Sequence, residues 1–152
     1  MEEPLTGPPT ASAFIRWRLH LASPPAAVFE VIATSDGRAR FWAESACRVG
    51  DQIEFVFPDG ARHRGRVLEE AAPSRFVVEY YGGTIATFVL DDDGAGGTDL
   101  TLTDEGVNAE WFAETNAGWV SVLLALKAAV DHGVDLRNHH PDRTWDLGFA
   151  DN

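Results

Sequence analysis

A chain of 152 residues, 45% hydrophobic and 24% charged, is long enough to bury one core without staples and has the make-up of an ordinary soluble globular domain. Its formal charge of −12 argues against nucleic acid and anionic membrane surfaces as principal partners. A single cysteine, Cys47, rules out an intrachain disulfide, and no apolar run approaches the roughly 20 residues of a membrane helix. The opening MEEPLTGPPTASA lacks the basic-then-apolar order of a secretory signal, so a cytoplasmic setting is the expectation.

Residues 1–12 are rich in Pro, Gly and Thr and read as a flexible leader. Phe14–Leu21 alternates, with Ile15, Trp17, Leu19 and Leu21 on one face and Arg16, Arg18 and His20 on the other, which predicts a half-buried strand. Ser23 before Pro24 and Pro25 predicts a helix start, the serine capping and the prolines sitting where no amide is missed. Val28, Phe29, Val31 and Ile32 give that helix its buried side. Ser35-Asp36-Gly37 reads as a break, with a second short helical segment over Arg38–Trp42. From Cys47 the period becomes two. Strands are expected over Asp51–Phe57, Arg62–Glu70, Arg75–Tyr81, Thr84–Asp91 and Thr98–Thr103, joined by short turns such as Pro58-Asp59-Gly60 and Gly82-Gly83 into an antiparallel meander.

The spacing then lengthens. Asn108–His132 places Phe112, Trp119, Val122, Leu123, Leu126 and Val130 on one helical face, with Glu110, Glu114, Lys127 and Asp131 mostly opposite. Asn108 can cap its start and Gly133 can close its end in a left-handed conformation. A helix with so broad an apolar face needs a sheet to cover. The expected fold is therefore α+β: an antiparallel sheet of about six strands with two short helices after the first strand and one long helix packed on it, spanning residues 13–133. The tail, 134–152, carries Leu136, Trp145, Leu147 and Phe149, so it is expected to pack on the domain or on a second copy of the chain in a homodimer.

Several stretches, SPPAAVFEVIATSDGRARFWAE (Ser23–Glu44), FVFPDGARHRGRVLEEAAPSRFVVEYYGG (Phe55–Gly83), GTDLTLTDEGV (Gly97–Val107) and GWVSVLLALKAAVDHG (Gly118–Gly133), resemble the START-like (SRPBCC) helix-grip superfamily. Within it the chain is most similar to bacterial single-domain proteins of the AHSA type, homologues of the activator of the heat-shock-protein ATPase. The resemblance implies a curved sheet gripping the C-terminal helix with an apolar cavity between them. It also implies three kinds of function: binding of a small hydrophobic ligand such as a lipid, acyl or polyketide-like molecule; cochaperone docking on a heat-shock ATPase; or cavity enzymology of the cyclase or hydrolase type on an aromatic or polyketide substrate.

Alternation and helical phase nominate the cavity wall. The apolar candidates are Trp17, Trp42, Phe55, Phe57, Val67, Phe76, Val78, Tyr80, Phe88, Leu100 and Leu102, facing Phe112, Trp119 and Leu123. His63, Asp104 and Asn116 fall in phase with inward positions, where they could orient a ligand; a His63–Asp104 pair could also do acid–base work. The bland readings are close packing, a histidine on an exposed hairpin and a strand-end aspartate.

No catalytic residue is nominated. Cofactors and metals are not expected either: His139, His140, Asp142 and Asp146 match no zinc spacing, and Asp91-Asp92-Asp93-Gly94 lacks the closing glutamate of a calcium loop. Arg62, Arg64 and Arg66 share one strand face, read as a solvated face paired with Glu54 and Asp51 in preference to a small basic patch that meets an acidic partner.

Overall fold

A computed structural model describes residues 12–152. The leader expected over 1–12 lies outside these residues except for Ser12, which already belongs to the first strand. In chain order the elements are β1 (Ser12–Leu21), α1 (Pro25–Ala33), α2 (Ser35–Arg38), β2 (Ser45–Val49), β3 (Gln52–Val56), β4 (Arg62–Ala71), β5 (Arg75–Tyr80), β6 (Thr84–Asp92), β7 (Thr98–Asn108) and α3 (Phe112–His132). The seven strands form one antiparallel sheet in the order β1-β7-β6-β5-β4-β3-β2. The first strand thus pairs with the last, and the rest is a meander.

Register explains which side chains meet. Trp17 lies opposite Leu102, Leu102 opposite Phe88, and Phe88 opposite Phe76, so one inward row crosses four strands. Leu19, Leu100 and Leu90 form the next row. Their apolar faces are covered by α1, α3 and the segment between α2 and β2, which together bury Phe29, Ile32, Phe41, Trp42, Trp119, Leu123 and Leu126. Strand alternation and helical phase agree on one core.

The sheet has one strand more than expected. Ser45–Val49 pairs with Gln52–Val56 through the Gly50 turn, where φ is +65°; its inward position is only Ala46, so alternation hardly marks it. The short helices also shift. Ser35-Asp36-Gly37 is the helix α2 itself, because the Thr34 hydroxyl accepts from the Gly37 amide at 3.0 Å, and residues 39–42 form turns. Gly37 lets α2 cross α1, since a Cβ there would stand 2.2 Å from the Val31 carbonyl oxygen.

Ser23 does not cap α1. Its hydroxyl donates to Asp131 at 2.7 Å, and the Ala22 and Ser23 amides reach the same carboxylate at 2.9 and 3.1 Å. Burial alone would raise the Asp131 carboxyl, yet these donors and Lys127 hold it at about 2. The β1–α1 corner is thereby tied to the last turn of α3.

Strand β7 runs to Asn108, past the expected Thr103, because Val107 is still buried. Asn108 caps a 3-10 turn over Ala109–Trp111 before α3 begins, and Gly133 ends α3 in the left-handed conformation at φ +65°. Arg38 is fully buried; its guanidinium donates to the Ala46 and Ile32 carbonyls at 3.0 and 3.2 Å, and burial lowers its pKa to about 10. Arg62, Arg64 and Arg66 stand outside, within 3.4–3.7 Å of Glu54 or Asp51. Among the described residues no helix is long and apolar enough to cross a membrane.

Candidate ligand-binding cavity

Trp42, on the segment between α2 and β2, is the centre of the molecule's aromatic cluster. Its ring centroid lies 5.0 Å from Phe55, 5.3 Å from Phe88, 5.4 Å from Tyr80, 5.7 Å from Phe41 and 5.9 Å from Trp119. The indole occupies the hollow that a curved sheet and a single helix would otherwise leave. Phe55, Phe76, Val78, Phe88, Leu100, Leu102 and Leu123 are consequently buried core, and Val67 and Phe112 pack against it.

Open space begins beyond Trp42. A cavity of about 930 Å³, large enough for a drug-sized molecule, lies between the N-terminal two-thirds of α3, the β3–β4 turn, the β5–β6 turn and the tail. From the nominated wall, Trp42, Phe57, Tyr80 and Trp119 line it; Tyr81, Trp111, Gly118, Val122, Leu136 and Trp145 join them. Tyr80 is among the lining residues, and burial pushes its phenol up.

The tail is one of the walls. Arg137 donates to the Ala43 carbonyl at 2.8 Å and to the Ala39 carbonyl at 2.6 Å, and it pairs with Asp135 at 3.0 Å. His139 bridges Asp135, at 2.8 Å, and Glu44. Farther on, Trp145 lies over the Cα of Gly118; a Cβ at that glycine would stand 2.5 Å from the indole. The Ser121 hydroxyl reaches the Ala150 carbonyl. Glycine in the middle of a helix costs about 1 kcal/mol relative to alanine, and here it makes room for an aromatic ring.

The polar candidates separate. Asp104 is wholly buried and accepts from the Trp119 indole at 2.8 Å, while its other oxygen has no hydrogen-bond partner among the described residues. Burial raises its pKa. It stands behind Trp119 and does not line the cavity. Trp17, at the sheet edge, donates to Asn116 at 2.8 Å, so these two satisfy each other. His63 lies among the rings of Phe55, Tyr80 and Tyr81, and burial lowers its pKa. Two strands separate β4 from β7, and Asp104 falls in the row of Val67, four residues from His63. At about 4.8 Å per strand the two side chains start roughly 14 Å or more apart along the sheet. They form no acid–base dyad.

The profile of the family described as "Activator of Hsp90 ATPase homolog 1-like protein" matches residues 22–131. The chain belongs to this AHSA1-like family. Solved structures agree on the fold. The protein SSP2350 from Staphylococcus saprophyticus superposes with a TM-score of 0.72 at 21% identity, over 82% of this chain and 96% of its own. The Aha1 dimer from Colwellia psychrerythraea gives 0.71 at 22%, over 80% and 98%. DynU16, a protein of the dynemicin biosynthetic locus, gives 0.67 at 20%, over 80% of this chain and 48% of its own. No curated protein is a significant match.

This AHSA1-like chain places part of its cavity outside the matched region, because Leu136, Arg137 and Trp145 follow residue 131. Of the tail's four large apolar residues, Leu136 and Trp145 line the cavity while Leu147 and Phe149 do not, and all four stay exposed; Gly118 within an otherwise strong helix marks where Trp145 rests.

Proposed function

We propose that this chain binds a small hydrophobic molecule in the cavity between its sheet, α3 and the tail. One observation carries the reading: about 930 Å³ of space with walls built from Phe57, Tyr81, Trp111, Trp119 and Trp145. Burying apolar ligand surface against such walls contributes roughly 25 cal/mol per Å², and the Tyr80 hydroxyl supplies a polar contact for orientation. DynU16's setting in a biosynthetic locus agrees with a polyketide-like ligand.

Native mass spectrometry of untagged protein, with organic extraction of its cargo, tests this. The expected result is one apolar molecule per chain. Empty protein that also refuses apolar probes would overturn it and leave the alternative carried by the family description, docking on a heat-shock ATPase, in the lead. The Colwellia psychrerythraea relative is a dimer, and a homodimer is our proposal for this chain too, to be read from the mass in the same spectra.

A further inference from the structure

We infer that the cavity selects neutral or cationic apolar molecules, such as an aromatic ring system bearing an amine, and turns away fatty acids and other anionic amphiphiles. This rests on the cavity reading above and names its ligand class.

Five charged side chains line the cavity: Asp59, Glu114, Asp146, Asp151 and Arg137. The four carboxylates are exposed residues, so they stand at the mouth, and they come from three separate places: the β3–β4 turn, the first turn of α3 and the tail. Arg137 is not available to a ligand. Its side chain is 6% exposed, and its donors are taken by Asp135 and by the carbonyls of Ala39 and Ala43.

An anionic head group would therefore meet four like charges and no free cation among the described lining residues. The cost of its desolvation would go uncompensated. The N-terminal turn of α3 is the feature that would favour an anion, and Glu114 already occupies it. An ammonium group meets the opposite situation. It gains from the carboxylates, and Trp111, Trp145 and Tyr81 among the lining residues supply aromatic rings of the kind that attract cations. Phe57 and Tyr81, both lining residues, lie nearly parallel with ring centroids 5.8 Å apart at 9°.

The test is calorimetric titration with a matched set sharing one naphthylpropyl body and ending in an ammonium, an alcohol or a carboxylate. At low salt the ammonium should bind tightest and the carboxylate weakest, with about threefold to tenfold between the charged ends. Exposed carboxylates act through screened fields, so 0.5 M salt should shrink that spread while leaving the alcohol unchanged. Glu114→Lys should narrow it as well, with the circular dichroism spectrum confirming that the variant folds. A carboxylate that binds as tightly as the ammonium, while the alcohol also binds, overturns the charge selectivity and leaves the cavity reading standing. If none of the three binds, the cavity reading falls and takes this inference with it.

Discussion

Asp104 shows how one buried group sets the chemistry around it. Its carboxyl sits in the core, where burial outweighs the Trp119 indole and the neighbouring Thr84 hydroxyl, so folding favours its protonated form. The ionised form therefore subtracts from stability at neutral pH. That penalty is absent below the unfolded value near 3.8 and grows as pH rises through the folded one. Asp104→Asn keeps an acceptor for Trp119 and removes the charge. Its melting temperature should match or exceed the wild type at pH 7, with the difference shrinking toward pH 4. Asp104→Leu strands the indole N–H and should lose about 1–3 kcal/mol at either pH. Equal losses for both variants would show that the charge itself is required. The sequence put Asp104 on the inward row by simple alternation from Leu100 and Leu102. It could not show that Trp119, one helix away, would stand between Asp104 and the cavity.

Among the elements, α3 and the tail form the junction most open to test. Gly118→Ala gains helix propensity, roughly 1 kcal/mol, but its methyl meets the Trp145 ring. In the wild-type background the substitution should loosen the tail and give little or no rise in melting temperature. In a Trp145→Ala background the same change should stabilise by about 0.5–1 kcal/mol, so the double-mutant cycle should be strongly non-additive. Additivity would mean that the ring does not rest on the helix. Element types were largely legible because α3 and the long strands carry period 3.6 and period 2 over many residues. The misses were local. Strand β2 has only Ala46 pointing inward, and the α1–α2 corner depends on Thr34 capping and on a glycine chosen for close helix contact rather than for a break.

For the molecule as a whole, closure of the cavity depends on how the tail is fastened. His139 lies between Glu44, which precedes β2, and Asp135, which Arg137 also holds. The hydrogen bond to Glu44, outweighing partial burial, and then that to Asp135 raise the imidazole pKa. A raised histidine gives stability that is complete below about pH 6.5 and lost as pH rises through the folded value. Limited proteolysis within residues 134–152 should be faster at pH 8.5 than at pH 6, by about threefold for a half-exposed pair of contacts. His139→Gln should remove the pH dependence; a tail cut equally fast at both pH values in the wild type would rule this fastening out. The cavity's position was not readable beforehand for the same reason. It is set by Trp42 filling one hollow and by a tail returning over α3 to wall another, and both are long-range outcomes that no local period encodes.

Trp42 and its neighbours have an optical consequence. Of the chain's five tryptophans, Trp42, Trp111, Trp119 and Trp145 line the cavity, whereas Trp17 is held at the sheet edge by Asn116. Anything that occupies the space touches most of the chain's ultraviolet emitters at once and leaves one as an internal reference. The protein thus carries its own binding dye, and quenching or energy transfer from those indoles would report cargo without a label.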